Sequence, residues 1–540
     1  MWNRVFLLFG ILFLFCQVSA VEPYDQPLPK GPSAQDRKLS GEDTILYEHW
    51  SDSGLPKIPR ASDAVFIRRA YLTATGRLPT ARDVREFLKD MSPDKREKLI
   101  DRLLDSPEHA DMMTMRFADM LRIKSEFPIN LWPNAVQAYC QKLRTDIYND
   151  RPYSEIAREM LTASGSNFRV PYANFFRASA DRTPEGLAKV TALTFMGLRT
   201  EKLTEEEQKE FAAFFSRIQC KKTEEWKEEI VYTNPEESVV EASMPGGPGF
   251  TIRSPKTDPR KVFADALLAE DNPYFARAFV NRAWYWFFGR GLIEPADDIT
   301  PESGSWTQFK HWIGLSRPPE NEVNPELLEY LTNEFRKSNY SMRKLFRLIM
   351  NSAAFQASSM AVPEHQELTE KYFAVYPVRR MESEVVSDAL GSLTGFYGSY
   401  SSVIPEPFTF LPSGTRAVQI EDGSISSATL ELFGRPPRDS GLLSERNSGI
   451  SDSQRLFLMN SGALYDRLNR VASRIAQENK WRLKPCAEAV YLTVLSRYPT
   501  EDEVKSIQKY QDNLPKKDKG RIWSDVLWVL VNSKEFLYYH

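Results

Sequence analysis

"YLTATGRLPT", Tyr71 to Thr80, returns almost unchanged as "YLTVLSRYPT", Tyr491 to Thr500. In the first copy, "DAVFIRRAYLTATG" sets Val65, Ile67, Ala70, Tyr71 and Leu72 on a broad apolar face, with Gly76 near its end, which reads as a helix and its C-cap. Pro79 forbids continuation, and Thr80 opens a second helix, "TARDVREFLKDM", with Asp83 as an approximate capping-box partner. The second copy keeps the same grammar: Tyr491 and Leu492 lie on an apolar face, Arg497 and Pro499 break it, and Thr500 with Glu503 restarts it. Each copy is followed by an apolar helix ending in Ser plus an acid, "LLDSPEH" at 103–109 and "LVNSKEF" at 530–536; "LIMNSAAF" at 348–355 is a third such ending. A duplicated active site would place catalytic side chains at matching positions, and none occurs. The element is a structural corner, with Arg77 and Arg497 placed to reach the carbonyls of the preceding helix end. Spacings between the copies are irregular, so a regular solenoid is excluded.

Outward from the corner the pattern is helical through 107–122, 133–149 and 153–165, and again in "RKVFADALLAEDNPYFARAFVNRAWYWFFG" and "NPELLEYLTNEFRKS". "EEIVYTNPEESVVEASMPGGPGFTIRSPKTDPR" (228–260) differs: β-branched runs surround a Pro/Gly turn cluster, as in a short hairpin or extended linker. Two further stretches are irregular, 397–424 and the charged "FGRPPRDSGLLSERNSG" at 433–449. The fold class expected is mainly α: an N-terminal helical domain over 21–227, a short β or extended linker over 228–258, and a C-terminal helical domain over 259–540.

Residues 1–20 read as an export signal: Arg4, the apolar run "VFLLFGILFLF", then "VSA" as a cleavage site. The run is shorter than the ~20 residues of a membrane span, and no other segment is apolar enough to be one. A periplasmic or extracellular location is therefore expected. The mature chain keeps Cys140, Cys220 and Cys486, an odd set that permits at most one internal disulfide and reads better as mostly buried thiols. Lys plus Arg total 70 against 73 acids, and a net charge of −3 gives no electrostatic reason to expect nucleic acid.

Standard catalytic motifs are absent: no phosphate loop, no GxSxG, no HExxH and no CxxC. The five histidines are not spaced as metal ligands, and His49 and His311, each before a Trp, read as half-buried amphipathic residues; no metal site is expected. Three constellations carry charge that chemistry could use. In "NRAWYWFFGRGLIEPADDI", Asp297 and Asp298 suit a hard cation or, more simply, a cap on the next element, with Arg282 upstream. In "RRMESEVVSDAL", Arg380, Glu384 and Asp388 fall at i, i+4 and i+8, as an exposed ion-pair ladder or the wall of a polar pocket. In "FGRPPRDSGLLSERN", Arg435, Arg438, Asp439, Glu445 and Arg446 crowd a loop that must be solvated, paired across domains, or bound to an anion such as an acidic or sulfated glycan.

"FIRRAYLTATGRLPTARDVREFL" with "REKLIDRLLDSPEHADMMTMRFADMLR" resembles domain-of-unknown-function family 1549, the planctomycete cytochrome-associated type. "NPYFARAFVNRAWYWFFGRGLIEPADDI", "LIMNSAAFQASS", "RRMESEVVSDAL", "FGRPPRDSGLLSERN" and "LVNSKEF" resemble its usual C-terminal partner, family 1553. The resemblance implies an exported protein whose relatives accompany cytochrome-c-like domains, a sulfatase-like partner family and polysaccharide-degradation genes. Many relatives carry CxxCH after a "FLG" helix; here 199–204 read Arg-Thr-Glu-Lys-Leu-Thr, without thiol or imidazole, so c-type haem is not expected. Some relatives also have cysteines in the "ERN" loop, where Leu442 and Ser444 stand here.

The leading expectation is a non-redox binding or scaffold subunit of an extracytoplasmic complex linked to polysaccharide breakdown. Its ligand surface would comprise Arg282, Asp297, Asp298, Arg380, Arg435 and Arg446, with an anionic glycan and an exported sulfatase-like protein as partners. The competing reading is an enzyme acting on sulfated or acidic glycans, with Glu384, Asp439 or Glu445 as acid or base. A haem electron carrier is disfavoured.

Overall fold

The computed structural model of the chain describes residues 39–56, 59–236, 238–299, 321–360, 365–447 and 449–540. The expected export signal and His311 lie outside these residues. Helix dominates what is described.

The corner forms in both copies. Ser62 accepts from the Val65 N–H to open the helix Asp63–Thr75, and Gly76 closes it in the left-handed conformation at φ 63°. A Cβ on Gly76 would sit 3.1 Å from Val418 Cγ1 and 3.2 Å from Met112 Sδ, so glycine serves both the turn and the close approach of a distant segment. In the second copy Ser496 takes the left-handed turn, φ 60°, after the helix Leu483–Val494. Thr80 with Asp83 and Thr500 with Glu503 make full capping boxes on the helices Ala81–Lys89 and Glu501–Asn513. The three Ser endings are also N-caps: Ser106, Ser352 and Ser533 accept from the N–H groups of His109, Phe355 and Phe536.

The corner arginines do something other than cap the preceding helix. Arg77 Nη1 lies 2.6 Å from Glu108, and Arg497 lies 2.6 Å from Glu535 and 2.7 Å from Glu503. In each copy, then, the arginine binds the acid of the Ser ending that follows, because a carboxylate is a stronger, charge-assisted partner than a carbonyl. The copies also touch each other. Arg68, within the first corner helix, donates from Nη1 to the Val494 carbonyl and from Nη2 to that of Phe536, both at 2.9 Å. Arg69 Nε reaches the His540 carbonyl at 2.8 Å. The first corner helix and the C-terminal end of the chain are thereby joined through backbone carbonyls, two of them at or near the ends of helices.

Apart from a small separate cluster of Ala417, Ile420, Ile425 and Leu430, one large hydrophobic core runs through residues from both sides of 228–258. Its centre is aromatic: Tyr153 stacks on Phe279 at 4.1 Å between centroids, Phe279 on Phe335 at 5.2 Å, and Phe117 lies 6.0 Å from Phe279. Strands are few and short. Glu229–Thr233 pairs antiparallel with Ile218–Lys222 and Gly165–Ser166, Val240–Ser243 pairs with Gly249–Ile252, and Arg379–Arg380 pairs with Tyr538–Tyr539. Cys140 and Cys486 are buried free thiols, while Cys220 is free and exposed. Among the described residues no helix is long and apolar enough to cross a membrane.

The duplicated corner makes a quantitative comparison possible. The side chain of Arg497 is 9% exposed and that of Arg77 is 42% exposed. Arg497→Met leaves two carboxylates without their cation and should cost roughly 3–5 kcal/mol, whereas Arg77→Met should cost no more than about 1 kcal/mol. Urea denaturation of both variants checks this; equal losses would mean that burial does not separate the two corners.

Candidate functional site

The helix Pro107–Met120 is buried along most of its length, yet it carries Asp111, Arg116 and Asp119. Charges on such a helix must be paired. Their partners come from far along the chain. Asp111 takes Arg416 Nη2 at 2.8 Å and Arg144 Nε at 2.5 Å. Arg116 faces Glu382 at 3.4 Å. Asp119 takes Arg438 Nε at 2.8 Å and Arg446 Nη2 at 2.6 Å. Just beyond the helix, Lys124 pairs with Asp439 at 2.7 Å, and Ser125 donates its N–H to Asp422 at 2.9 Å. One short stretch, 111–125, therefore binds the 382–446 region through a continuous polar seam.

The centre of the seam is Glu384, which is fully buried. Arg446 grips it with a fork, Nη1 to Oε2 at 2.6 Å and Nη2 to Oε1 at 3.2 Å, and Arg435 Nε stands 3.5 Å from Oε1. Burial by itself would raise the carboxyl, but the Arg446 and Arg435 guanidiniums outweigh it and hold Glu384 at about 2. Glu382 behaves alike: burial opposes ionisation, Arg379 and Arg116 prevail, and the carboxyl sits at about 2. Arg446, between Glu384 and Asp119, is held well above the ordinary arginine value despite the opposing effect of burial.

The other candidates are equally occupied. Asp439 has Lys124, and Glu445 accepts from the N–H groups of Asp439 at 3.2 Å and Ser440 at 2.6 Å, bracing its own loop. Arg435 donates to the carbonyls of Ile425 and, at 3.2 Å, Asp422. Arg438 donates to the Glu421 carbonyl at 2.7 Å. Arg282 is buried and donates to the carbonyls of Thr194 at 2.7 Å and Leu193 at 2.9 Å. The element that follows "PADDI", which either aspartate was expected to cap, lies outside the described residues. Asp297 binds Arg199 at 2.8 Å and accepts the Leu443 N–H at 3.0 Å, and Asp298 pairs with Lys202 at 2.8 Å. Both cations come from the stretch where relatives are expected to carry CxxCH.

The i, i+4, i+8 ladder does not form. The helix begins only at Ser383, with Glu382 as its N-cap, and Arg380 lies outside it in the short strand against Tyr538–Tyr539. Arg380 donates to the carbonyls of Phe433 at 2.9 Å and Asn447 at 2.7 Å. Asp388 accepts the N–H groups of Ala417 at 2.5 Å and Val418 at 3.3 Å. Burial raises the Asp388 carboxyl to about 7. Periodicity placed these residues on one face, but pairing of the 379–380 strand with the chain end stops the helix short of Arg380. His49 is half-buried, edge-on to Tyr372 at 4.8 Å.

The arrangement is that of an internally paired ion network in which Arg116 Nη1, Arg416 Nη1 and Arg438 Nη2 are buried with no hydrogen-bond partner among the described residues. Among the named side chains no pair of carboxylates stands open with opposed protonation states, as acid–base chemistry on a glycoside would require. Asp111, Arg116, Asp119, Glu382 and Asp422 escaped the reading of the sequence. The available signal was three charges inside the apolar run "ADMMTMRFADML".

Acid should open this seam. Glu382 and Glu384 bind protons more weakly in the folded chain than in the unfolded one, so their stabilisation is complete above about 4.5 and is lost as pH falls through about 2. Glu384→Gln should cost roughly 3–5 kcal/mol at neutral pH and flatten the acid limb of stability against pH. Urea unfolding from pH 2 to 7 measures both; an unchanged acid limb would remove Glu384 from the network's energetics.

Residues 43–241 match the family model described as a protein of unknown function, DUF1549 (PSCyt2), and residues 259–309 and 315–511 match that of a protein of unknown function, DUF1553 (PSD1). No curated protein and no solved structure matches the chain. With the two models following one another along a sequence whose halves are joined by the Asp119–Arg446–Glu384 seam, the chain belongs to the DUF1549–DUF1553 family of proteins.

Proposed function

We propose that the protein is an exported, non-redox binding or scaffold subunit of an extracytoplasmic complex serving polysaccharide breakdown, and that it holds a glycan on an aromatic surface around Trp226. One observation carries this reading. Trp132, Trp226 and Phe408 form a cluster, with ring centroids 4.5 Å apart for the two indoles and 5.5 and 6.1 Å from them to Phe408. The cluster reaches solvent: Trp226 is 62% and Phe408 38% exposed, with Trp132 half-buried beneath them. Lone exposed apolar residues need no explanation, but a contiguous aromatic group does.

The backbone supports the same reading. Trp132 and Lys227 hold φ of 73° and 63°, the left-handed side of the map that bulky residues avoid. Such strain persists where surrounding structure enforces it, and functional sites are where it gathers. The Lys227 ammonium stands 5.3 Å from the Trp132 ring and 5.8 Å from that of Trp226, which places a positive charge beside the aromatic faces for a uronate or sulfate. Flat indole faces offer large contact area at low entropic cost.

The enzyme reading draws less support, because Glu384, Asp439 and Glu445 are each engaged within the protein. Arg199 and Lys202, paired with Asp297 and Asp298, favour the non-redox reading over a haem carrier. The division into units at 21–227 and 259–540, and the exported sulfatase-like partner, remain parts of this proposal.

An array of sulfated and uronic-acid polysaccharides probed with the purified mature chain tests it. Trp226→Ala should weaken glycan binding by about tenfold or more, as loss of an aromatic anchor does. Its unfolding midpoint should stay close to wild type, since the ring is mostly exposed. Glycan binding indifferent to Trp226→Ala would take the site away from this surface, and no glycan binding at all would sink the glycan reading.

A further inference from the structure

Beside the seam, and distinct from the aromatic surface, a cavity of about 190 Å³ lies between the 107–120 helix, the helix Pro133–Tyr148 and residues 418–421. An empty volume of ~150 Å³ already admits one six-membered ring, so this one is large enough for a small organic molecule. Its lining has two characters. Met115, Ala118, Val418 and Ile420 are apolar, while Asp111, Thr114, Arg144 and Glu421 are polar.

The polar groups are unequally satisfied. Asp111 is fully engaged, accepting from Arg144 Nε, Arg416 and Gln419. Thr114 is 7% exposed and its hydroxyl has no hydrogen-bond partner among the described residues, an uncommon state for a buried oxygen. Arg144 spends Nε on Asp111, and its side chain is 40% exposed. Glu421 contributes its backbone carbonyl to Arg438 and Cys140. Among the described residues its carboxyl forms no salt bridge: burial raises it to about 7 against the pull of Arg144, with Asp422 and Asp111 adding to the rise.

We propose that this cavity binds a small zwitterion, an α-amino acid with an apolar side chain, whose carboxylate meets the Arg144 guanidinium, whose ammonium meets Glu421 and Thr114, and whose side chain rests on Met115, Val418 and Ile420. A guanidinium and a carboxylate lining one small cavity match the two charges of such a ligand, and the apolar residues match the remainder. The ammonium supplies Glu421 with a salt bridge, and the Thr114 hydroxyl gains an acceptor's role.

The test is calorimetric titration of the purified mature chain with L-leucine, with 3-methylbutylamine (no carboxylate), with 4-methylpentanoate (no amine) and with glucose. Leucine should bind with one site per chain, and each truncated form should bind about tenfold or more weakly, as when a charged hydrogen-bond partner is lost. Thr114→Val removes the unpartnered hydroxyl at nearly constant volume. It should raise the melting temperature of the empty protein while weakening leucine, opposite signs that a purely structural role would not give. Glu421→Gln should weaken leucine and the amine but not 4-methylpentanoate, and Trp226→Ala should leave leucine binding intact. Preference for glucose, no binding of leucine up to about 10 mM, or folded Thr114→Val and Glu421→Gln variants that bind leucine like wild type would overturn the proposal.

Discussion

Burial of guanidinium groups constrains this fold more than any other feature. Arg68, Arg69, Arg122, Arg217, Arg260, Arg282 and Arg438 are among its largest fully buried side chains. A guanidinium stays charged and brings five donors, so each one buried demands a set of acceptors. The fold supplies them largely from backbone carbonyls at helix ends and in irregular segments. Arg217 gathers the carbonyls of Ser238, Ser254 and Thr257; Arg122 takes those of Ala178 and Met120. An arginine used this way pins a loop that has no ladder of its own, and so holds together a chain with few strands.

The seam along 111–125 extends that logic to charge pairs. Asp119 and Glu384 come from distant parts of the sequence, yet share Arg446. Ion pairs of this kind are weak evidence for net stability against an apolar alternative, but they are unforgiving of a missing partner, which makes them specific. They also settle how the charged 433–449 loop is spent. Its described arginines and acids brace the protein from within.

Much of the local structure was legible because its causes are local. The Thr80 and Thr500 capping boxes, the Ser106 and Ser533 starts and the Gly76 stop depend on residues within four positions of each other. The mainly helical class followed from apolar periodicity, and the family from long contiguous motifs. The candidate site was legible only as a set of charged residues. Spacing placed Arg380, Glu384 and Asp388 on one helix face, whereas a strand pairing between residues 379–380 and 538–539 ended the helix first. Nothing in the residues around Asp119 names Arg438 and Arg446 as partners.

The sequence by itself determined where helices start and stop, the low number of strands, the absence of standard catalytic motifs and the absence of thiol and imidazole at 199–204, since each depends on residue type and short spacing. Only the tertiary structure decided that the two corners abut through Arg68, that the crowded arginines of 435–446 are consumed internally, and that Trp132, Trp226 and Phe408 meet at the surface. The reason is physical: a cap is satisfied within one turn of chain, but a buried charge or an aromatic face takes whichever partner the whole packing brings within reach.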